Sequence, residues 1–164
     1  MNNNKEHIYS LLEQVCDPEI PVLTILDLGI VRDVICADDQ EIEIIITPTY
    51  SGCPAMDAIA FDVKLKMLEN GFNKVKITYT LNPAWTTDWM TESGKSKLKS
   101  YGIAPPQNIS SRIDRMMFNE EQNIECPQCH SLNTKLLSEF GSTACKSLYQ
   151  CNDCKEPFDY FKCH

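Results

Sequence analysis

The chain has 164 residues, 43% of them hydrophobic, enough for one ordinary packed domain with a small second one. Its net charge is −8, with nine basic against fifteen acidic residues in 1–105, two against four in 106–125 and four against four in 126–164. Neither end therefore offers the basic face that nucleic-acid binding demands. No apolar run approaches the roughly 20 residues of a membrane span. The first residues, MNNNKEHIYSLLEQ, lack the apolar centre of a signal peptide, so the expected compartment is the cytoplasm. Nine cysteines in a reducing compartment argue for metal binding or thiol chemistry over a disulfide framework.

Asn3 or Asn4 can cap a first helix whose apolar stripe is Ile8, Leu11, Leu12 and Val15, running to Asp17-Pro18. Asp17 and Glu19 resemble an acid pair, but no nucleophile or metal partner lies near them in sequence, and a turn role fits better. Strands over Ile30–Cys36 and Glu41–Thr47, joined by the turn Ala37-Asp38-Asp39-Gln40, read as an antiparallel hairpin. Cys16 and Cys36, each on an element with an apolar face, read as inert core residues, and His7 as a solvated helix residue.

The stretch Thr47-Pro48-Thr49-Tyr50-Ser51-Gly52-Cys53-Pro54-Ala55-Met56 separates the second strand from a helix in which Met56, Ile59, Ala60, Val63 and Met67 recur at helical spacing up to Asn70-Gly71. Pro54 suits the first helical position, which puts the Cys53 thiol at or just before the N-cap. Unpaired N–H groups and the helix dipole there favour an anion, a setting for a reactive thiolate. A buried, structural Cys53 fits the spacing equally well.

Val75, Ile77 and Tyr79 alternate with polar residues as a third strand. After Asn82-Pro83, Thr86 or Thr87 can cap a last helix containing Trp89, Met90, Leu98 and Tyr101; the two tryptophans read as core anchors. The order helix, strand, strand, helix, strand, helix predicts a compact two-layer α+β domain over 1–105. Residues 106–125 read as a linker, with a helical turn expected around Ile109–Phe118.

From 126 to 164 the chain carries two C-x-x-C knuckles, Cys126/Cys129 and Cys151/Cys154, with 21 residues between them. Strands expected over Thr134–Phe140, Ala144–Gln150 and Pro157–Cys163 complete a zinc ribbon. Four thiolates close a tetrahedral site with no open position, so the zinc is read as structural. A segment this small cannot build an adequate core without metal. Cys145 and Cys163, with His130 and His164 nearby, stand outside the ligand set. They read as packed ribbon residues, as a second transient metal site or as exchange thiols.

The blocks DPEIPVLTILDLGIVRDV (17–34), TPTYSGCPAM (47–56), NPAWTTDWM (82–90), YGIAPP (101–106), SEFGSTACKSLYQC (138–151) and EPFDYFKC (156–163) closely resemble the PaaD family. Its members are accessory proteins of the phenylacetyl-CoA epoxidase system, and the N-terminal part resembles the iron–sulfur cluster assembly domain family that includes SufT. The resemblance implies a non-catalytic role in aerobic phenylacetate degradation, helping to mature a metal centre of a multicomponent monooxygenase built from a di-iron oxygenase and a flavin, iron–sulfur reductase. It also implies that Cys53, in the SGCP loop, is the functional thiol, a transient ligand of iron or of an iron–sulfur cluster. One thiolate cannot fill a cluster's coordination, so any cluster is shared between two chains, with Cys145 and Cys163, or with the client. The expected partners are the oxygenase or reductase components and a second copy of the chain, with no nucleic acid and no membrane.

Three rivals remain at this level. A thiol oxidoreductase or a catalytic subunit is opposed by the missing C-x-x-C partner for Cys53 and by the lack of a Glu-x-x-His pattern or Gly-rich cofactor loop. Nucleic-acid binding is opposed by the charge. An integral non-catalytic subunit or scaffold is compatible with every residue above.

Overall fold

The structure, a computed structural model, describes residues 2–36, 40–107 and 123–162. The linker from 108 to 122, the hairpin turn at 37–39, Cys163 and His164 lie outside the described residues. The chain divides into two compact units, Met1–Trp85 with Trp89–Thr91, and Thr86–Asp88 with Glu92–His164. Among the described residues no helix is long and apolar enough to cross a membrane.

The first unit is a two-layer α+β arrangement of α1 (Asn2–Leu12), β1 (Val31–Cys36), β2 (Glu41–Ile46), α2 (Ala55–Glu69) and β3 (Lys74–Tyr79). The sheet order is β1-β2-β3, with β1 antiparallel to β2 and β3 parallel to β2. Two parallel neighbours cannot be joined by a tight turn; α2 provides the crossover, packing on β3 while α1 packs on β1 and α2. Alternation along β2 sends Ile42, Ile44 and Ile46 into the core and leaves Glu41, Glu43 and Ile45 on the partly open face. There Glu41 pairs with Lys74 at 3.0 Å and Glu43 with Lys76 at 2.8 Å across the parallel register.

The first helix stops earlier than its stripe suggests. It ends at Leu12, and the chain turns so that Cys16 bridges Thr24 and the Asp17 amide reaches the Leu23 carbonyl at 2.8 Å. Cys16 is consequently exposed and Cys36 half-buried, a correction to the core role read from the apolar faces of their elements. Asp17 serves a turn, its Oδ1 accepting from the Glu19 and Ile20 amides at 2.8 Å each.

Trp89 and Met90 do not belong to the last helix. A 3-10 turn spans Thr87–Trp89, and α3 starts only at Glu92. The interruption has a cause in the buried Asp27, which accepts from Thr91 Oγ1 at 3.0 Å while its carbonyl takes the Thr91 amide at 2.9 Å. Trp85 is buried and donates from Nε1 to the Leu28 carbonyl at 2.8 Å; Trp89 lies beneath the Arg32 guanidinium, 3.7 Å from the ring centroid.

The second unit joins α3 (Glu92–Tyr101) to an antiparallel sheet of β4 (Thr134–Ser138), β5 (Lys146–Cys151) and β6 (Pro157–Phe161). Helix α3, read from sequence as part of the N-terminal domain, groups with these strands. The chain leaving α3 lies alongside β6, where Ala104 donates to the Asp159 carbonyl at 2.8 Å and accepts from the Phe161 amide at 3.0 Å. The small core of this unit, Ala104, Ile124, Tyr149, Phe158 and Tyr160, also contains the ligand candidates Cys126 and Cys151.

Candidate functional site

Two sulfur sites emerge, one in each unit. The first is the loop from Thr47 to Met56. It leaves the carboxyl end of β2, where the Thr47 amide still bonds to the Ile30 carbonyl at 2.8 Å, and Thr47 and Pro48 are buried. A β-turn follows over Tyr50-Ser51-Gly52-Cys53, closed by the Cys53 amide on the Tyr50 carbonyl at 3.2 Å. Gly52 occupies the third position at φ 84°, the conformation a type II turn reserves for glycine. Among the described residues no atom lies within 4 Å of where its Cβ would be, so the dihedral alone imposes the residue.

The Cys53 carbonyl then accepts the Met56 amide at 3.2 Å, and the helix begins at Ala55 with Pro54 as N-cap, one residue later than the proline placement suggested. Cys53 is half-buried and directly precedes a helix N-terminus that has no side-chain cap. Tyr79, at the end of β3, steadies the first turn of α2 by donating to the Met56 carbonyl at 3.4 Å. Burial, and secondarily the Asp57 carboxylate, pushes its phenol above the ordinary tyrosine range.

The second site is the knuckle pair. Sulfurs of Cys126, Cys129, Cys151 and Cys154 all lie within 4.8 Å of one another, with Cys126–Cys154 at 3.7 Å and Cys129–Cys151 at 3.5 Å. Four thiolates around a zinc at about 2.3 Å would stand about 3.8 Å apart, so the observed spacing fits a tetrahedral ion. The two knuckles are built alike. Cys126 and Cys151 each donate their amide to the carbonyl five residues on, of Ser131 at 2.9 Å and of Glu156 at 3.0 Å. The residue after each second cysteine, His130 and Lys155, is left-handed, at φ 61° and 68°. That reversal turns the next amide, Ser131 or Glu156, back onto the sulfur of Cys129 or Cys154.

Amides of Cys154 and then Asp153 lower the Cys151 thiol to about 7. The Glu156 amide pulls Cys154 down, but burial and the three neighbouring sulfurs outweigh it and leave that thiol at about 12. Cys129 is likewise raised, the Ser131 amide being overcome by burial and by Cys151. Four thiols this close cannot all ionise unless a cation sits among them.

Cys145 was expected on a strand; it lies just before β5, buried, with its sulfur 3.1 Å from Thr143 Oγ1. Cys163 and His164 lie outside the described residues. His130 is exposed and engages Glu125 at 2.7 Å, the same carboxylate oxygen that meets Lys99 at 2.8 Å. Among the described residues no second cluster of candidate metal ligands occurs. Sequence reasoning missed the left-handed knuckle residues, because glycine, the usual sign of that conformation, is absent there. It also missed Thr47, whose hydroxyl is buried with no hydrogen-bond partner among the described residues.

Comparison with known proteins follows the same division. A family model described as iron-sulfur cluster assembly protein matches residues 5–79, and one described as PaaD zinc beta ribbon domain matches residues 111–162. The chain is 50% identical over 156 residues to a protein of Escherichia coli (strain K12) named as a subunit of a "Putative 1,2-phenylacetyl-CoA epoxidase", covering 95% of this chain and 91% of that one. It is 38% identical over 103 residues to a Porphyromonas gingivalis protein named "Fe-S protein maturation auxiliary factor", covering 60% of this chain and 97% of that one. A crystal structure of a domain of unknown function, DUF59, from Bacillus anthracis superposes with a TM-score of 0.56 at 31% identity, over 59% of this chain and 92% of that one.

Proposed function

The chain belongs to the PaaD family, in which an iron–sulfur cluster assembly domain precedes a PaaD zinc ribbon, and on that premise we propose that it matures a metal centre of a phenylacetyl-CoA epoxidase through Cys53. It is an accessory factor and not a catalyst, as its relatives are named maturation auxiliary factors or a subunit. The observation that carries the reading is a half-exposed cysteine set directly before an uncapped helix N-terminus. Iron or an iron–sulfur cluster is the cargo. A single thiolate holds such cargo weakly, which suits delivery, and the missing ligands come from the client. Cys145, being buried, is poorly placed to help.

The four knuckle cysteines, Cys126, Cys129, Cys151 and Cys154, hold a structural zinc that keeps the ribbon folded. The ribbon and the acidic surface dock the oxygenase or reductase component, in the cytoplasm. To test the thiol, Cys53→Ala is placed in the native operon and the epoxidase is purified. Lowered iron content with lowered activity is expected; unchanged values for both sink the proposal.

A second reading, an integral non-catalytic subunit, is favoured by the subunit name of the Escherichia coli relative. It predicts a stable stoichiometric complex whose activity in vitro disappears when this chain is withdrawn, with Cys53→Ala as active as the wild type.

A further inference from the structure

Helix α2 is apolar on two opposite sides. Met56, Ile59, Val63 and Met67 face the core. Advancing 100° per residue, Ala58, Phe61, Leu65 and Leu68 fall on the far side, where Phe61 is 67% exposed and Leu65 and Leu68 are each 44% exposed. Single exposed apolar residues need no explanation, but three large ones in register over two turns form a docking stripe.

The charges beside the stripe say what covers it. Asp57 and Lys64 are exposed, seven residues apart, and lie on the same flank. When two identical helices pack antiparallel about a two-fold axis, equal flanks meet. Asp57 of each copy then faces Lys64 of the other, giving two reciprocal ion pairs, which outnumber the one like-charge contact made where the exposed Asp62 of the opposite flank meets its counterpart near the axis. In that register Phe61 falls at the axis against its own counterpart, Leu65 lies over the small Ala58, and Leu68 reaches the exposed Pro54 of the opposite copy. We infer that α2 is the interface of a two-fold homodimer, with Phe61 at its centre and the Asp57–Lys64 pairs setting its register.

The arrangement goes beyond the maturation role and constrains it. Leu68 of one copy shields the Pro54 shoulder of the other copy's Cys53 loop. The two Cys53 residues stand about 15 residues apart along the antiparallel helices, or about 22 Å at the helical rise of about 1.5 Å. No cluster bridges them in this dimer.

Sedimentation equilibrium of the full chain over a concentration series tests the inference. A reversible monomer–dimer equilibrium is expected. Phe61→Ser, at a solvent-exposed position and checked for an unchanged circular dichroism spectrum, is expected to raise the dissociation constant about tenfold or more. Lys64→Asp is expected to weaken the dimer, and adding Asp57→Lys to restore it, while Cys53→Ala leaves it unchanged. A monomer at every concentration overturns the inference, as does a dimer indifferent to Phe61→Ser or a double reversal weaker than the single one. A monomeric chain that binds purified oxygenase through Phe61 also overturns it, assigning the stripe to a client.

Discussion

His130 and Lys155 occupy equivalent places, each following the second cysteine of its knuckle and each left-handed, at φ 61° and 68°. A side chain in that region carries a steric cost of roughly 1–2 kcal/mol, which glycine does not incur. His130→Gly and Lys155→Gly are therefore expected to leave stability unchanged or to raise it by up to about 1 kcal/mol. Val at either position strains the backbone and is expected to speed metal loss to a chromophoric chelator. Equal chelation rates for Gly and Val variants would show that the amide-to-sulfur geometry does not depend on this reversal.

Metal removal should unfold the second unit selectively, because Cys126 and Cys151 are part of its core as well as candidate ligands. Zinc near one equivalent per chain is expected on purification. After chelation, amide exchange is expected to accelerate across β4, β5 and β6 while β2 stays protected. Uniform protection after chelation would mean that the ribbon holds without an ion.

The same site fixes a pH dependence. In the metal-free arrangement Cys154 stands at about 12 and Cys129 is raised, whereas Cys151 stands at about 7. The metal-bound form carries fewer protons, so acid favours the metal-free form. Affinity is expected to climb as pH rises through 7 and to keep climbing above it, with protons released on binding. A pH-indicator titration reads both, and a flat affinity profile would contradict the assignment.

Gly29 cannot take a side chain. Its φ is 68°, and a Cβ would stand 2.1 Å from the Trp89 carbonyl oxygen. Gly29→Ala combines backbone strain with a backbone collision and is expected to cost about 2 kcal/mol or more, read as a fall in the denaturation midpoint.

At Thr47, 1% exposed, the hydroxyl oxygen has no partner among the described residues. Thr47→Val keeps the shape and removes a desolvated polar atom, so a gain of about 1 kcal/mol is expected. If the variant, despite that gain, lowers the iron content of the purified epoxidase, the hydroxyl has a part in the role proposed for the Cys53 loop.

What the sequence settled by itself was local. Two C-x-x-C pairs mark the four-sulfur cluster because each knuckle is formed within a few residues, and the turn that leads into α2 is marked by Gly52 and Pro54. The apolar spacing of α2 and the hairpin of β1 with β2 follow from the same short-range periodicities. Tertiary structure decided whatever depends on distant partners. Asp27 captures Thr91 and so cuts Trp89 and Met90 out of the last helix. The turn through Cys16 and Thr24 exposes a cysteine that the apolar stripe of the first helix would bury. β3 aligns parallel to β2 only because α2 returns the chain across the sheet. Short-range patterns encode dihedral preferences, but which hydrogen bond wins between competing segments is fixed only once burial brings them together.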